Sequence, residues 1–332
     1  MRFVLEPEHK ELGASIDSML AKSDLPAVVR AWGAGDTEPG RKVWARLAET
    51  GVNGLVIDED HGGFGAGAVE MIVAVEQLGR HCVPGPVAET VAAAPALLAA
   101  AGLTDRLESL AEGQLATLAW APHVPFAVDA GVADLTLLVD ADGALAVGEP
   151  GAAKQSVDPA RSLFPLTAGA SLATGVDTTR AFDLAALATA AQLQGLGQTM
   201  LSISTEYAKA RKQFGREIGS FQAIKHHLAE VAIALEMARP LLLGAALAVD
   251  GVSDVERAAD VSRDVSAAKI ACGAAANRAA RTALQVMGAI GYTQEHDLSL
   301  YLTRTRALLT SWGTPAVHRA RVLAAVSAAE PA

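Results

Sequence analysis

The stretch ARKQFGREIGSFQ, residues 210–222, holds the densest set of side chains able to grip a charged group. Arg211, Lys212 and Arg216 are interleaved with Phe214, Phe221, Gln213 and Gln222, and glycines stand at 215 and 219. A guanidinium fork presents paired donors to a phosphate or carboxylate, and glycine lets backbone come close to a ligand. The same stretch also reads as a helix–loop–helix corner. A helix ends at Lys209 to Lys212 with basic residues against its dipole, Gly215 stops it, and a new helix begins after Ser220 as N-cap. The two readings are compatible, because such a corner offers an arginine and free backbone N–H groups to an anion.

Other chemistry finds little support. His226 and His227 are adjacent, so on a helix they point about 100° apart and cannot share one metal ion. No metal site is expected. Neither a GxSxG elbow nor a GxxxxGK[ST] or GxGxxG loop after a strand occurs. HGGFGAG, residues 61–67, is glycine-rich but lacks a lysine and a preceding buried strand, so it reads as a turn before a helix. Cys82 and Cys272 lie in apolar, helix-like settings far apart and read as buried free thiols. The net charge of −10 repels a polyphosphate backbone, which disfavours nucleic acid as partner and leaves the basic corner needing a local explanation.

The elements that must position this corner divide the chain in three. Residues 1–115 read as helices with short loops: Val43, Trp44, Leu47 and Ala48 fall at helical spacing before Gly51, and Val69, Ile72, Val73 and Glu76 repeat the pattern. Residues 116–179 carry short β-type runs, ATLAW, DLTLLVD and ALAVGE, with an Asp-Gly hairpin signal at 141–143 and PGAAKQSVDPARS as a loop-rich insert. Residues 180–332 read as four long helices, 180–209, 220–250, 254–288 and 297–327, forming a bundle. The second of these is apolar around most of its circumference, which predicts burial in the bundle or in an oligomer interface, with Pro240 kinking it or covered by a neighbour. The fold class expected is mainly α with a small β domain. Hydrophobic residues are 51% of the chain, but alanine supplies much of that, and no run reaches the roughly 20 uninterrupted apolar residues of a membrane span. MRFVLEPEHKEL has early acids and no apolar segment, so a cytoplasmic location is expected.

ARKQFGREIGSFQAIKHHLAEV resembles the Arg-x-x-Phe-Gly…Phe-Gln signature of the acyl-CoA dehydrogenases, flavoenzymes that introduce an α,β double bond into acyl thioesters. GVNGLVIDEDHGGFGAGAVEMIVAVEQLGR is similar to the family's N-terminal helical segment, LQVMGAIGYTQEHDLSLYLTRTRA to its Gln-x-x-Gly-Gly-x-Gly-Tyr-Thr segment, and SWGTPAVHRARVL to its terminal Glu-Gly-Thr segment. The resemblance implies a helix–β–helix order and an FAD shared at a subunit interface. It also implies that Arg211, Phe214, Gln222, Gln285, Gly288 and Thr314 hold the adenosine and pyrophosphate end of that FAD. Ala289 stands where the family usually has glycine and Ala316 where it has glutamine.

The other half of the family's site is missing. The Thr-Glu-Pro-x-x-Gly-Ser-Asp type loop and the Trp-Ile-Thr type strand that surround the flavin ring have no counterpart, and residues 116–179 are shorter than the family's β domain. Removing an α proton needs a carboxylate within reach. The position before Gly-Thr that most members give to the catalytic Glu is Trp312, and the alternative position is Ala185, followed by Ala186. Glu295 reads as a salt-bridge or capping residue. The pattern resembles the short, base-lacking subunit of bacterial α2β2 acyl-CoA dehydrogenases, some of which act on sterol side-chain thioesters. That resemblance implies a homologous full-length partner that supplies the flavin pocket, the Glu and most of the acyl-CoA site. It further implies two FAD in the tetramer in place of four, and an electron-transfer flavoprotein as acceptor. Two alternatives stand beside it: a homo-oligomeric flavin enzyme of other chemistry, such as a reductase or hydroxylase, and a scaffold subunit without FAD.

Overall fold

The computed structural model describes residues 4–252 and 260–329. The chain opens with α1 (Pro7–Leu20), α2 (Leu25–Gly33), α3 (Glu38–Glu49) and α4 (Ala68–Arg80). A π-helical turn (Glu89–Ala93) runs into α5 (Ala94–Ala100), and α6 (Leu107–Ala111) follows. Asp24 caps α2 by accepting from the Ala27 N–H at 3.2 Å. Gly51, with φ 83°, stops the chain after α3, as the sequence predicts. The glycine-rich stretch before α4 is a turn, and the helix start it leads to is already occupied: the Asp250 carboxylate accepts from Ala68 N at 2.6 Å and Val69 N at 3.2 Å, while Glu70 reaches back to Gly67 N at 3.0 Å. Those donors are closed to an external phosphate.

A four-stranded sheet follows, with spatial order β1 (Ala116–Trp120), β3 (Leu135–Val139), β4 (Leu145–Pro150), β6 (Leu166–Ala173). β1 runs parallel to β3, and the other neighbours are antiparallel. The Asp-Gly signal marks the β3–β4 hairpin, where the Asp140 carboxylate accepts from Asp142 N (2.9 Å) and Ala144 N (2.7 Å). β6 and the small pair β2 (Ala127–Val128) and β5 (Leu163–Phe164) lie outside the runs read as strands. The Ala, Gly and Thr content of β6 carries little alternation to detect, and the other two are only two residues long.

The bundle is built from α7 (Thr179–Ala210), α8 (Gln222–Val249) and α9 (Val261–Met287). The expected start at 254 falls within 253–259, outside the described residues. The fourth expected helix is two, α10 (Leu298–Leu308) and α11 (Pro315–Ala329). Between them Trp312 and Gly313 take φ 55° and 98°, a conformation no helix continues through. α8 passes through Pro240 as one helix. Its most apolar 18 residues average a hydropathy of 1.7, enough by length and composition to cross a membrane, but they pack on α7 and α9 in this fold. Cys272 lies in α9, and Cys82 in the turn after α4 at φ 51°. Both thiols are free and buried, and burial pushes them up to about 12 and about 11.

α4 crosses α7 where both carry glycine. A Cβ on Gly195 would lie 2.0 Å from the Glu76 carbonyl oxygen, and one on Gly79 would lie 2.2 Å from that of Gln192. Gly195→Ala is therefore expected to force the helices apart and cost about 1–3 kcal/mol in urea unfolding. Gly273→Ala, whose Cβ finds its nearest neighbour at 3.4 Å, should be neutral or stabilising in the same measurement.

Candidate functional site

α7 ends at Ala210, and Arg211 leaves it in an extended conformation. Its N–H still donates to Tyr207 O at 2.9 Å, and its carbonyl accepts from Ile218 N at 2.8 Å. Between these anchors the chain makes a miniature hairpin: β7 (Lys212–Gln213) pairs with β8 (Arg216–Glu217). The two connecting residues, Phe214 and Gly215, have φ 53° and 77°, the left-handed pair of a tight two-residue turn. The corner is thus a hairpin where the sequence reading expected a plain helix stop. α8 begins at Gln222 with Phe221, not Ser220, at its N-cap, and the Ser220 hydroxyl donates instead to Glu217 O at 2.6 Å.

Phe214 is the outlier of this corner. A bulky residue in the left-handed region is strained, and its ring is 92% exposed. It meets Phe221 edge-on at 6.2 Å between centroids, while the Arg216 guanidinium lies 4.1 Å above the Phe221 ring. Arg211 and Gln222 are exposed beside it. Among the described residues the Phe221 ring is the one aromatic ring that meets it.

Two contacts fix which other residues share that end of the bundle. Leu235 of α8 packs beside Gly197 of α7 and near Ala276 of α9, and Glu230 meets Arg278 at 3.2 Å. Moving toward the start of α8 therefore means moving toward the end of α9. Gln222 and the Arg211 corner consequently lie at the same end as Gln285 and Gly288, both exposed. Gly288 ends α9 at φ 64°. Thr314 lies apart. It caps α11, accepting from Val317 N at 3.3 Å, and its neighbour Pro315 lines a cavity with Ala274 and Asn277 of α9, about 12 Å of helix before Gln285 at 1.5 Å per residue. Ala289, Ala316 and Glu295 are all exposed.

Both candidate base positions are closed. Ala185 is fully buried in α7, its carbonyl accepting from Thr189 Oγ1 at 2.8 Å. Trp312 is buried as well, and a chain of hydrogen bonds holds it. Its indole N–H donates to Glu89 Oε1 at 2.9 Å. Its carbonyl lies 2.8 Å from His318 Nε2 and can only accept, so that nitrogen carries the proton and Nδ1 accepts from the Ser266 hydroxyl at 3.1 Å. Ser266 in turn accepts from Arg321 at 3.2 Å, and Arg321 meets Asp183 at 2.6 Å. Burial, with Lys269 nearby, pushes His318 down to about 4, which keeps the ring neutral in this role. Phe182 lies against Trp312, Trp120 and His123 with centroids 6.1, 5.7 and 5.2 Å apart, completing an aromatic plug. A Cβ on Gly313 would stand 2.7 Å from His318 Nε2, so the turn after Trp312 requires glycine.

The structure adds one carboxylate that the sequence reading did not single out. Glu89 is buried in the π-helical turn, and with Arg161, His123, Arg306 and Ser311 it lines a cavity of about 430 Å³ between the strand layer and α10. The signal available in the sequence was a lone acid in the apolar run PVAETVAAAPALL. Among the described residues no His, Cys, Asp and Glu cluster could hold a metal.

Residues 6–104 match the N-terminal domain of acyl-CoA dehydrogenases and residues 175–327 their C-terminal domain. The chain is 32% identical to the acyl-CoA dehydrogenase IpdE2 of Mycolicibacterium smegmatis, over 97% of this chain and 100% of that protein. It is 32% identical to the acyl-CoA dehydrogenase FadE34 of Mycobacterium tuberculosis over 82% of this chain, but that match takes up only 40% of FadE34. The ChsE4–ChsE5 complex of M. tuberculosis contains a chain of the same fold, with TM-score 0.80 at 21% identity, covering 100% of both chains.

Proposed function

This chain belongs to the acyl-CoA dehydrogenase family, and from that premise we propose that it is the base-lacking subunit of a heteromeric, FAD-dependent acyl-CoA dehydrogenase. Its Arg211 corner closes an FAD site whose ring pocket and catalytic Glu belong to a homologous full-length subunit. The observation that carries this reading is the pairing of an exposed, strained Phe214 beside Arg211 with a plugged base position at Trp312.

The residues fit the tail of FAD. Arg211 offers a fork to a pyrophosphate, Phe214 an aromatic face, Gln222 and Gln285 amides, and Gly288 an uncovered backbone, all exposed at one end of the bundle. They do not match its ring, because Trp312 and Phe182 plug the base position and the cavity beside the strand layer is lined by Glu89, His123 and Arg161 where the family carries its ring-holding loop. When bound, FAD supplies the hydride acceptor of the family's reaction. What this chain's residues do is bind the tail, orient it and exclude water from it; proton removal falls to the partner. Thr314, set apart from the corner, would face a different part of the assembly. Residues 1–115, 116–179 and 180–332 serve as the helical, strand and bundle units of this subunit, and the exposed Ile233, Met237 and Leu241 stripe of α8 suits contact between subunits.

Two further facts support a partner. FadE34 has length beyond the matched 40% for a second unit of this size, and the ChsE4–ChsE5 structure is a complex of two differently named chains. The acyl group is taken to lie mainly in the partner, with an electron-transfer flavoprotein as acceptor. Co-expression with a homologous full-length subunit, followed by a flavin absorbance spectrum, tests the reading. The expected result is colourless protein from the chain alone and a yellow complex with the partner. Yellow protein from the chain alone would point to a homo-oligomeric flavin enzyme, and no colour in either preparation to a scaffold without FAD.

A further inference from the structure

We propose that the cavity enclosed by α9, α10 and α11 is a binding site for a phosphate group, separate from the Arg211 corner. The cavity measures about 300 Å³ and its polar lining comes from Lys269 and Asn277 on α9, Arg306 on α10, and His318 and Arg319 on α11. Every titratable side chain in that lining is a base, in a protein whose net charge is −10. Arg306 also borders the Glu89 cavity, which none of the other bases lines.

The bases are not equivalent. His318 has both ring nitrogens engaged, by Trp312 O and Ser266, and stays neutral. Arg306 and Arg319 are exposed at the rim, and among the described residues neither takes part in an ion pair. Lys269 is 3% exposed and donates one of its three N–H bonds, to Leu308 O at 3.2 Å. A buried ammonium with one acceptor and no carboxylate beside it is poorly placed. Burial accordingly pushes its pKa down to about 7. The groups facing it are Cys272 on its own helix, Arg306 from α10, and His318, Arg319 and Arg321 from α11. None is an acid at neutral pH that could hold the proton on the amine.

An oxyanion supplies what the cavity lacks. Two guanidinium groups and an ammonium in one lining supply the charged donors that a phosphate's oxygens accept, with the Asn277 amide as a further donor. An anion in contact with the amine favours its charged form, so binding draws a proton onto Lys269. The volume is at the lower end of the roughly 300–1,000 Å³ typical of ligand pockets. It therefore suits a phosphate group, free or as the end of a nucleotide that reaches outward between Arg306 and Arg319. The inference does not rest on the FAD reading, since the cavity takes its α9 residues from 269–277 and the corner lies beyond 285.

Titration calorimetry of the full chain with sodium phosphate, and separately with 3′,5′-ADP, at pH 8 and constant ionic strength tests the proposal, because there the phosphates are mainly dianions and Lys269 is mainly neutral, so the proton must come from the buffer. Saturable binding is expected, with heats that differ between buffers of different ionisation enthalpy because a proton is taken up. Arg306→Gln and Arg319→Gln should each weaken binding at least about tenfold, and Lys269→Met should abolish both binding and proton uptake. Arg211→Ala, which alters only the separate FAD corner, should leave the Lys269-dependent binding and its proton uptake in place. Should Lys269→Met fail to fold, the two rim variants decide the matter. Tighter 3′,5′-ADP would identify the phosphate as a nucleotide's, and tighter inorganic phosphate as a free anion. No saturable heat from either ligand, heats independent of the buffer, binding unaltered in the Arg306→Gln/Arg319→Gln double variant, or binding lost in Arg211→Ala would each overturn the proposal.

Discussion

Asp158→Ala is expected to destabilise the protein by about 3–5 kcal/mol, because it strands a buried cation. Arg304 has no exposed surface; its Nε donates to the Asp158 carboxylate and its Nη1 to Val83 O at 2.8 Å, while Nη2 finds no partner. The pair joins three segments distant in sequence: the insert after β4, the turn after α4, and α10. Asp158 also accepts from Ala160 N at 2.9 Å, so its loss loosens the insert itself. The other buried acid near Arg304 is Asp129, and burial pushes that carboxyl up to about 6, leaving it a weak substitute as counter-charge. Replacing both partners with apolar residues, Asp158→Leu with Arg304→Met, should recover most of the loss, since breaking a buried pair costs far more than removing it. Urea unfolding of the single and double variants checks this; a single variant within about 1 kcal/mol of the parent would contradict it.

Trp312→Glu returns a carboxylate to the position where the family most often places its base, and it is expected to yield no dehydrogenase activity. Two physical obstacles stand in the way. The introduced carboxylate would enter the space beside Glu89 with the indole N–H gone, and two buried carboxylates in contact cannot both ionise. Phe182 and His123 would still stand edge to face beside the strand layer, and the family's ring-holding loop would still be missing from residues 116–179. Removing a buried tryptophan that packs on Phe182 should also cost about 3–5 kcal/mol. Acyl-CoA-dependent reduction of an artificial electron acceptor by this variant alone would refute the division of labour proposed between subunits.

Particular residues explain what could be read in advance. The corner was legible because arginine, glycine and aromatic residues are rare together in an alanine-rich chain, and the β3–β4 hairpin because Asp-Gly carries its own turn chemistry. The strained Phe214 was not, since Phe-Gly has no turn preference strong enough to announce a left-handed phenylalanine. The break at Trp312 escaped for a related reason: its cause is tertiary, a hydrogen bond to Glu89 across 223 positions. Asp158 and Arg161 lie in a stretch rich in polar and small residues that reads as a surface loop, yet both are buried by partners far along the chain. Charged residues reveal burial only through such partners, and local pattern does not contain them.

Flavin content of the assembled complex bears most directly on the account. The Arg211→Ala variant, co-expressed with the full-length partner, should assemble normally, because an exposed corner arginine contributes within about 0.5 kcal/mol to folding. The purified complex should nonetheless lose most of its bound FAD, read as the ratio of flavin to protein absorbance. An Arg211→Ala complex with the same flavin content as the parent would contradict the claim that this subunit grips the cofactor held by its partner.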